Sequence, residues 1–120
     1  MTTVNVTSDI TNAPMVDAKI SFRFLALDKF QAYSMVREII GSSHAENTDT
    51  KRYVCCVPLS VKNFEDINDY FIRQRIAITD CDILVSVSAS VNNGIVDIPA
   101  IVNRMLKYID CKLTFAYTVS

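Results

Sequence analysis

From Ile83 the chain alternates with a period of two. Ile83, Val85, Val87, Ala89 and Val91 point one way, and Leu84, Ser86, Ser88 and Ser90 point the other. Alternation of this kind sets one face of a strand on a core and leaves the other to water or a partner. Asn92-Asn93-Gly94 then breaks the run, because Asn and Gly tolerate positive φ. Beyond it the period changes to that of a helix, with Ile98, Ile101, Val102, Met105, Leu106 and Ile109 on one stripe. Asp97 is the expected N-cap and Pro99 sits in the first turn, where a missing N–H costs little. Arg104 and Lys107 fall toward the end that the helix dipole favours for cations. After Asp110 the period returns to two, with Leu113, Phe115, Tyr117 and Val119 opposite Lys112, Thr114, Ala116 and Thr118. Two strands joined by a helix imply a right-handed crossover, with the helix covering the apolar face of both.

The same patterns run through the earlier chain. Residues 18–27 read as a strand whose heavier side carries Ile20, Phe22, Phe24 and Ala26, with Lys19, Ser21 and Arg23 opposite. Asp28 is positioned to cap a helix running to about Ile40, and Gly41 suits a left-handed C-terminus. Residues 42–50 read as a polar loop holding the single histidine, His44. Residues 51–59 form a strand apolar on both faces, as an interior strand is. Residues 60–78 read as a further helix, with Asn63 and Asp66 in capping-box spacing, carboxylates at its start and Arg73 and Arg75 at its end. Residues 1–17 are an N-terminal tail or carry an added edge strand at Thr3–Thr7, and residues 18–120 make a single domain.

Leaving out the middle helix, the order is βαββαβ. That predicts an α+β fold, a ferredoxin-like split βαββαβ sandwich with a four-stranded, mostly antiparallel sheet. The first and last helices then share one face, and the extra helix between the second and third strands packs at an edge or end. A mixed three-layer sheet is the alternative.

Composition narrows the function classes. The chain has 120 residues, half of them hydrophobic, with two glycines and a formal net charge of −1. One globular domain fits this, whereas binding to nucleic acid through bulk charge and polyanionic mimicry do not. No apolar run is long enough to span a bilayer and no signal-peptide pattern opens the chain, so a cytoplasmic location is expected. Cys55, Cys56, Cys81 and Cys111 are then reduced thiols, and their spacing matches no zinc pattern.

The strand ILVSVSAS, the turn and helix NNGIVDIPAIVNRMLKYI and the closing LTFAYTVS resemble the end of small bacterial domains known only as a domain of unknown function. SFRFLALDKF and the later EIIG resemble their opening strand and helix. The resemblance spans roughly two thirds of the chain and implies an α/β fold but no activity. It departs from the family after Gly41, where Ser42-Ser43-His44 stands in place of an apolar residue and Pro-Thr.

Two functional classes remain. The first is a protein-binding module that acts without catalysis, as an immunity or inhibitor protein does, against a toxin or host protein. Its expected surface is the sheet face bearing Ser21, Arg23, Ser86, Ser88, Ser90, Thr114 and Thr118. A polar face in plain contact with water is the competing reading. Pairing of two copies through a sheet face or edge strand is a variant of it. The second class is a small-molecule sensor or enzyme with a site near His44, Asp80, Cys81 and Asp82. Neither class calls for a metal or cofactor, and membrane and nucleic-acid partners are not expected.

Overall fold

The computed structural model describes residues 13–120, so the strand expected at Thr3–Thr7 lies outside the described residues. Five strands are present: β1 Ala18–Leu27, β2 Ser43–Asn47, β3 Arg52–Pro58, β4 Cys81–Ala89 and β5 Lys112–Val119. Three helices join them: α1 Lys29–Glu38, α2 Phe64–Arg73 and α3 Ala100–Tyr108. The sheet order is β2-β3-β1-β4-β5, with only the β4–β5 pair parallel.

The fold is therefore α+β, but with five strands in a mixed sheet and not the four of a ferredoxin-like sandwich. A ferredoxin-like sheet sets the last strand beside the first. Here β1 is central, between β3 and β4, and β5 lies at the far edge. The α3 crossover does return β5 parallel to β4, as the strand–helix–strand pattern implies.

The middle helix is not an appendage at an edge. β3 and β4 are both antiparallel to β1 and lie on either side of it. The connection between them has to cross the sheet above β1, which carries α2 over the core. Tyr70 of α2 meets Phe24 of β1 edge-on, with ring centroids 5.3 Å apart, and its hydroxyl donates to the Gln31 carbonyl of α1 at 2.8 Å. All three helices share one buried cluster with Phe22, Phe24, Cys55, Val57 and Ile83.

Local chemistry explains where the elements start and bend. Asp28 caps α1 as its position suggests, in a full capping box with Gln31. Gly41 follows with φ of 84°, a conformation in which a side chain is strained. Asn63 makes no cap bond to α2; its side-chain amide instead donates to the carbonyls of Pro58 and Ile40. α3 opens at Ala100 with Pro99 at its N-cap, two residues after the expected Asp97. In β1 a register shift between Phe24 and Leu27 inserts one residue, so Leu27 replaces Ala26 on the core face.

The polar stretch read as a loop contains β2, paired in register with β3 from Ser43–Cys56 to Asn47–Arg52. β4 ends at Ala89, which leaves Ser90 in the bend beyond the strand. Residues 13–17 run along the following loop, where Met15 bridges Ile95 and Gly94 lies so close that a Cβ would stand 2.8 Å from Val16. Along β5 only Leu113 reaches the helix-side core. Phe115, Tyr117 and Val119 share its side but are exposed, because the helices do not extend over them.

Candidate functional site

Since every helix packs on one side of the sheet, the odd positions of β1 up to Arg23 and of β2, and the even positions of β3, β4 and β5, face away from the helices. Register places them in rows. One row runs Ser43, Cys56, Arg23, Asp82, Lys112 from β2 to β5. Ser21, Leu84 and Thr114 form the next, Lys19, Ser86 and Ala116 the one after, and Ser88 stands beside Thr118.

The face is pinned at Asp82. Arg23 Nε donates to Asp82 Oδ1 at 2.8 Å, its Nη2 donates to Oδ2, and the Thr114 hydroxyl donates to Oδ2 at 2.7 Å. Three strands are thereby joined through one carboxylate, whose side chain is 1% exposed against 24% for Arg23. Burial pushes the Asp82 carboxyl up. The hydrogen bonds of Arg23 and Thr114, with the charges of Arg23 and Lys112, outweigh it and hold the group below its usual range. The same bond raises Arg23. Cys56, across β1 from Asp82, has its thiol raised by burial.

Six of the seven residues expected on this surface do share it. Ser21, Arg23, Ser86 and Thr114 are half-buried toward its middle, while Ser88 and Thr118 are exposed toward one end. Ser90 is the exception. It lies past the strand and, with Ser88 and residues 14–17, lines a shallow depression of about 380 Å³. Asp82 and Lys112 complete the face and were absent from the expected set. Extending the Leu84–Ser86–Ser88 parity back by one pair reaches Asp82, a signal masked by its place in an Asp-rich stretch.

The second candidate set is not assembled. His44, Cys55, Phe24 and Cys81 occupy one row on the helix side, so two strands separate His44 from Cys81. Asp82 points to the opposite face, and Asp80 ends an exposed turn of 3₁₀-helix. His44 instead stacks on Tyr33, with ring centroids 4.9 Å apart, and meets Tyr53 edge-on. The Cys81 thiol is raised, chiefly by its hydrogen bond with Cys111 and by burial. Among the described residues no group of three or more His, Cys, Asp or Glu side chains is placed to hold a metal ion. Among them, too, no helix is long and apolar enough to cross a membrane.

The site thus defines an α+β protein with a mixed sheet, open and hydroxyl-rich on one side and covered by helices on the other. No family model, curated protein or solved structure matches the chain.

Proposed function

We propose that this chain is a small protein-binding module, of the immunity or inhibitor kind, that acts without catalysis through its open sheet face. One observation carries the reading: three helices crowd one side of the sheet and leave the hydroxyl-bearing side uncovered among the described residues. Strands about 4.8 Å apart, with residues about 3.3 Å apart along them, make this face on the order of 500–600 Å². A standard interface takes about 800 Å² per partner, so the face and its rim suffice for one.

The chemistry of the face suits a protein partner. Hydroxyls both donate and accept, and the Arg23–Asp82–Thr114 cluster holds three strands in one geometry, which lowers the ordering cost of binding. The strand aromatics Phe22, Phe24, Tyr53, Phe115 and Tyr117 all lie on the helix side. The open face therefore offers no stacking platform for single-stranded nucleic acid. The small-molecule reading has no comparable support, since its residues are spread over two sheet faces.

Photo-cross-linking in cells that naturally carry the chain tests this. A photoreactive side chain at Ser86 on the open face is compared with one at Asp69, exposed on α2. A discrete adduct with one protein from position 86 and none from position 69 is the expected result. Adducts from position 69 alone, or from neither, exclude the open face as the binding surface.

A further inference from the structure

The two edges of the sheet are unlike. β2 is five residues long and carries His44 and Glu46, features that blunt an edge against pairing. β5 has eight residues, and after Lys112 it reads Leu113-Thr114-Phe115-Ala116-Tyr117-Thr118-Val119, with no charge, proline or glycine. Its pairing with β4 is continuous from Lys112 to Val119 without a bulge. Its outer edge has no partner strand among the described residues. Phe115, Tyr117 and Val119 are 63%, 43% and 49% exposed on the helix side of the sheet, beyond the reach of the helices.

This strand is chemically symmetric about Ala116. Phe115 mirrors Tyr117, Thr114 mirrors Thr118 and Leu113 mirrors Val119. An antiparallel pair related by a two-fold axis through Ala116 sets each residue opposite its mirror. Since mirrored residues have the same parity, their side chains fall on the same side of the joined sheet.

We infer that β5 pairs antiparallel with β5 of a second copy about a two-fold axis at Ala116, joining two sheets into one of ten strands. Phe115 then faces Tyr117 of the other copy twice over, and Thr114 faces Thr118, cross-strand pairs that stabilise antiparallel sheets. Lys112 falls opposite Ser120, so the seam holds no pair of like charges. The interface is isologous and closes on itself, leaving no exposed copy of this edge.

Area sets its strength. The exposed parts of two aromatic side chains of about 150–250 Å² give on the order of 200 Å² per copy, a quarter of a standard partner surface. Strand backbone and the flanking Leu, Thr and Val supply the rest, so the dimer dissociates on dilution. The pairing leaves the proposed docking face free and extends it across both copies.

Charge at position 116 tests this through sedimentation equilibrium on the full chain. The unsubstituted protein is expected to approach twice the mass of one chain as concentration rises. Ala116→Lys and Ala116→Glu each place like charges on the axis and should sediment as monomers. Their equimolar mixture should recover the dimer, because Lys then faces Glu. Position 116 is exposed, so far-UV circular dichroism should match the unsubstituted chain for both. A second readout is a disulfide between a Thr114→Cys chain and a Thr118→Cys chain on mild air oxidation. A monomer at every concentration, dimers that survive either charge, or a mixture that stays monomeric would each overturn the pairing. None of these outcomes bears on whether position 86 captures a partner.

Discussion

Arg23 and Asp82 stand directly opposite one another across β1 and β4, joined by two hydrogen bonds on a face that is otherwise open. Their burial is unequal, with the carboxylate sealed and the guanidinium at the rim. The two halves of the pair therefore differ in what they leave behind. Arg23→Ala strands a buried carboxylate with only the Thr114 hydroxyl for company, and should cost about 3–5 kcal/mol of stability. Asp82→Ala leaves an arginine able to turn into water and should cost only about 1–2 kcal/mol after allowance for that exposure. Urea unfolding of both variants checks the order, and equal losses would contradict it.

The same carboxylate makes stability depend on pH. Its pKa is lower folded than unfolded, where a free Asp titrates near 3.9. A depressed folded pKa contributes stability that is present above the unfolded value and is lost as pH falls through the folded one. The unfolding free energy should therefore decline below about pH 4, more steeply in the unsubstituted protein than in Asp82→Asn. Urea midpoints measured from pH 7 down to pH 3 for both proteins show this as converging curves. Parallel curves would mean that folding leaves the Asp82 pKa unchanged.

Tyr70 ties α2 to α1 and to the central strand at once. Its ring is fully buried against Phe24, and burial pushes the phenol up to about 12. Tyr70→Phe keeps the packing but removes the donor to the Gln31 carbonyl, and should cost about 1 kcal/mol. Tyr70→Ala opens a cavity and should cost about 3–5 kcal/mol, as for other large aromatic truncations. Thermal unfolding separates the two. A phenylalanine variant as damaged as the alanine variant would show that the hydrogen bond, not the ring, holds α2 in place.

Hydrophobic period made the helices and four of the strands legible, and side-chain chemistry made the Asp28 cap legible. β2 was not, because all five of its residues are exposed and it is held by backbone pairing to β3. Strand order was not legible either. Alternation tells which residues share a face, but three crossovers and a hairpin leave several orders open, and packing of α2 over β1 decides among them. The bare apolar side of β5 has the same origin, since a period of two assigns Phe115 and Tyr117 to a side without showing whether a helix reaches it. At the site, parity brought Ser21, Arg23, Ser86 and Thr114 together correctly. It missed Asp82 because a carboxylate beside another carboxylate reads as a turn, and only the opposing Arg23 reveals its purpose.

Cysteine chemistry offers a direct view of the open face. Cys56 is half-buried in the row of Arg23 and Asp82, whereas Cys55, Cys81 and Cys111 are buried on the helix side. Thiolate is the reactive form, and burial pushes Cys55 up to about 12. Cys56 is raised by burial as well, but Arg23 and Lys19 oppose the shift and its surface is reachable. Iodoacetamide at pH 8.5 should therefore alkylate Cys56 well before Cys55 and Cys81, whose thiols are raised and buried, by at least about tenfold in rate. Peptide mapping by mass spectrometry resolves Cys55 from Cys56 through fragment ions. Preferential labelling of Cys55 would mean that the face assignment of β3 is reversed, because neighbouring residues of one strand point to opposite sides. A partner seated on the open face should slow the Cys56 reaction and leave the slow background at Cys55 and Cys81 unchanged. A dimer joined at β5 should leave Cys56 reactive, since two strands, β1 and β4, lie between β3 and the dimer edge.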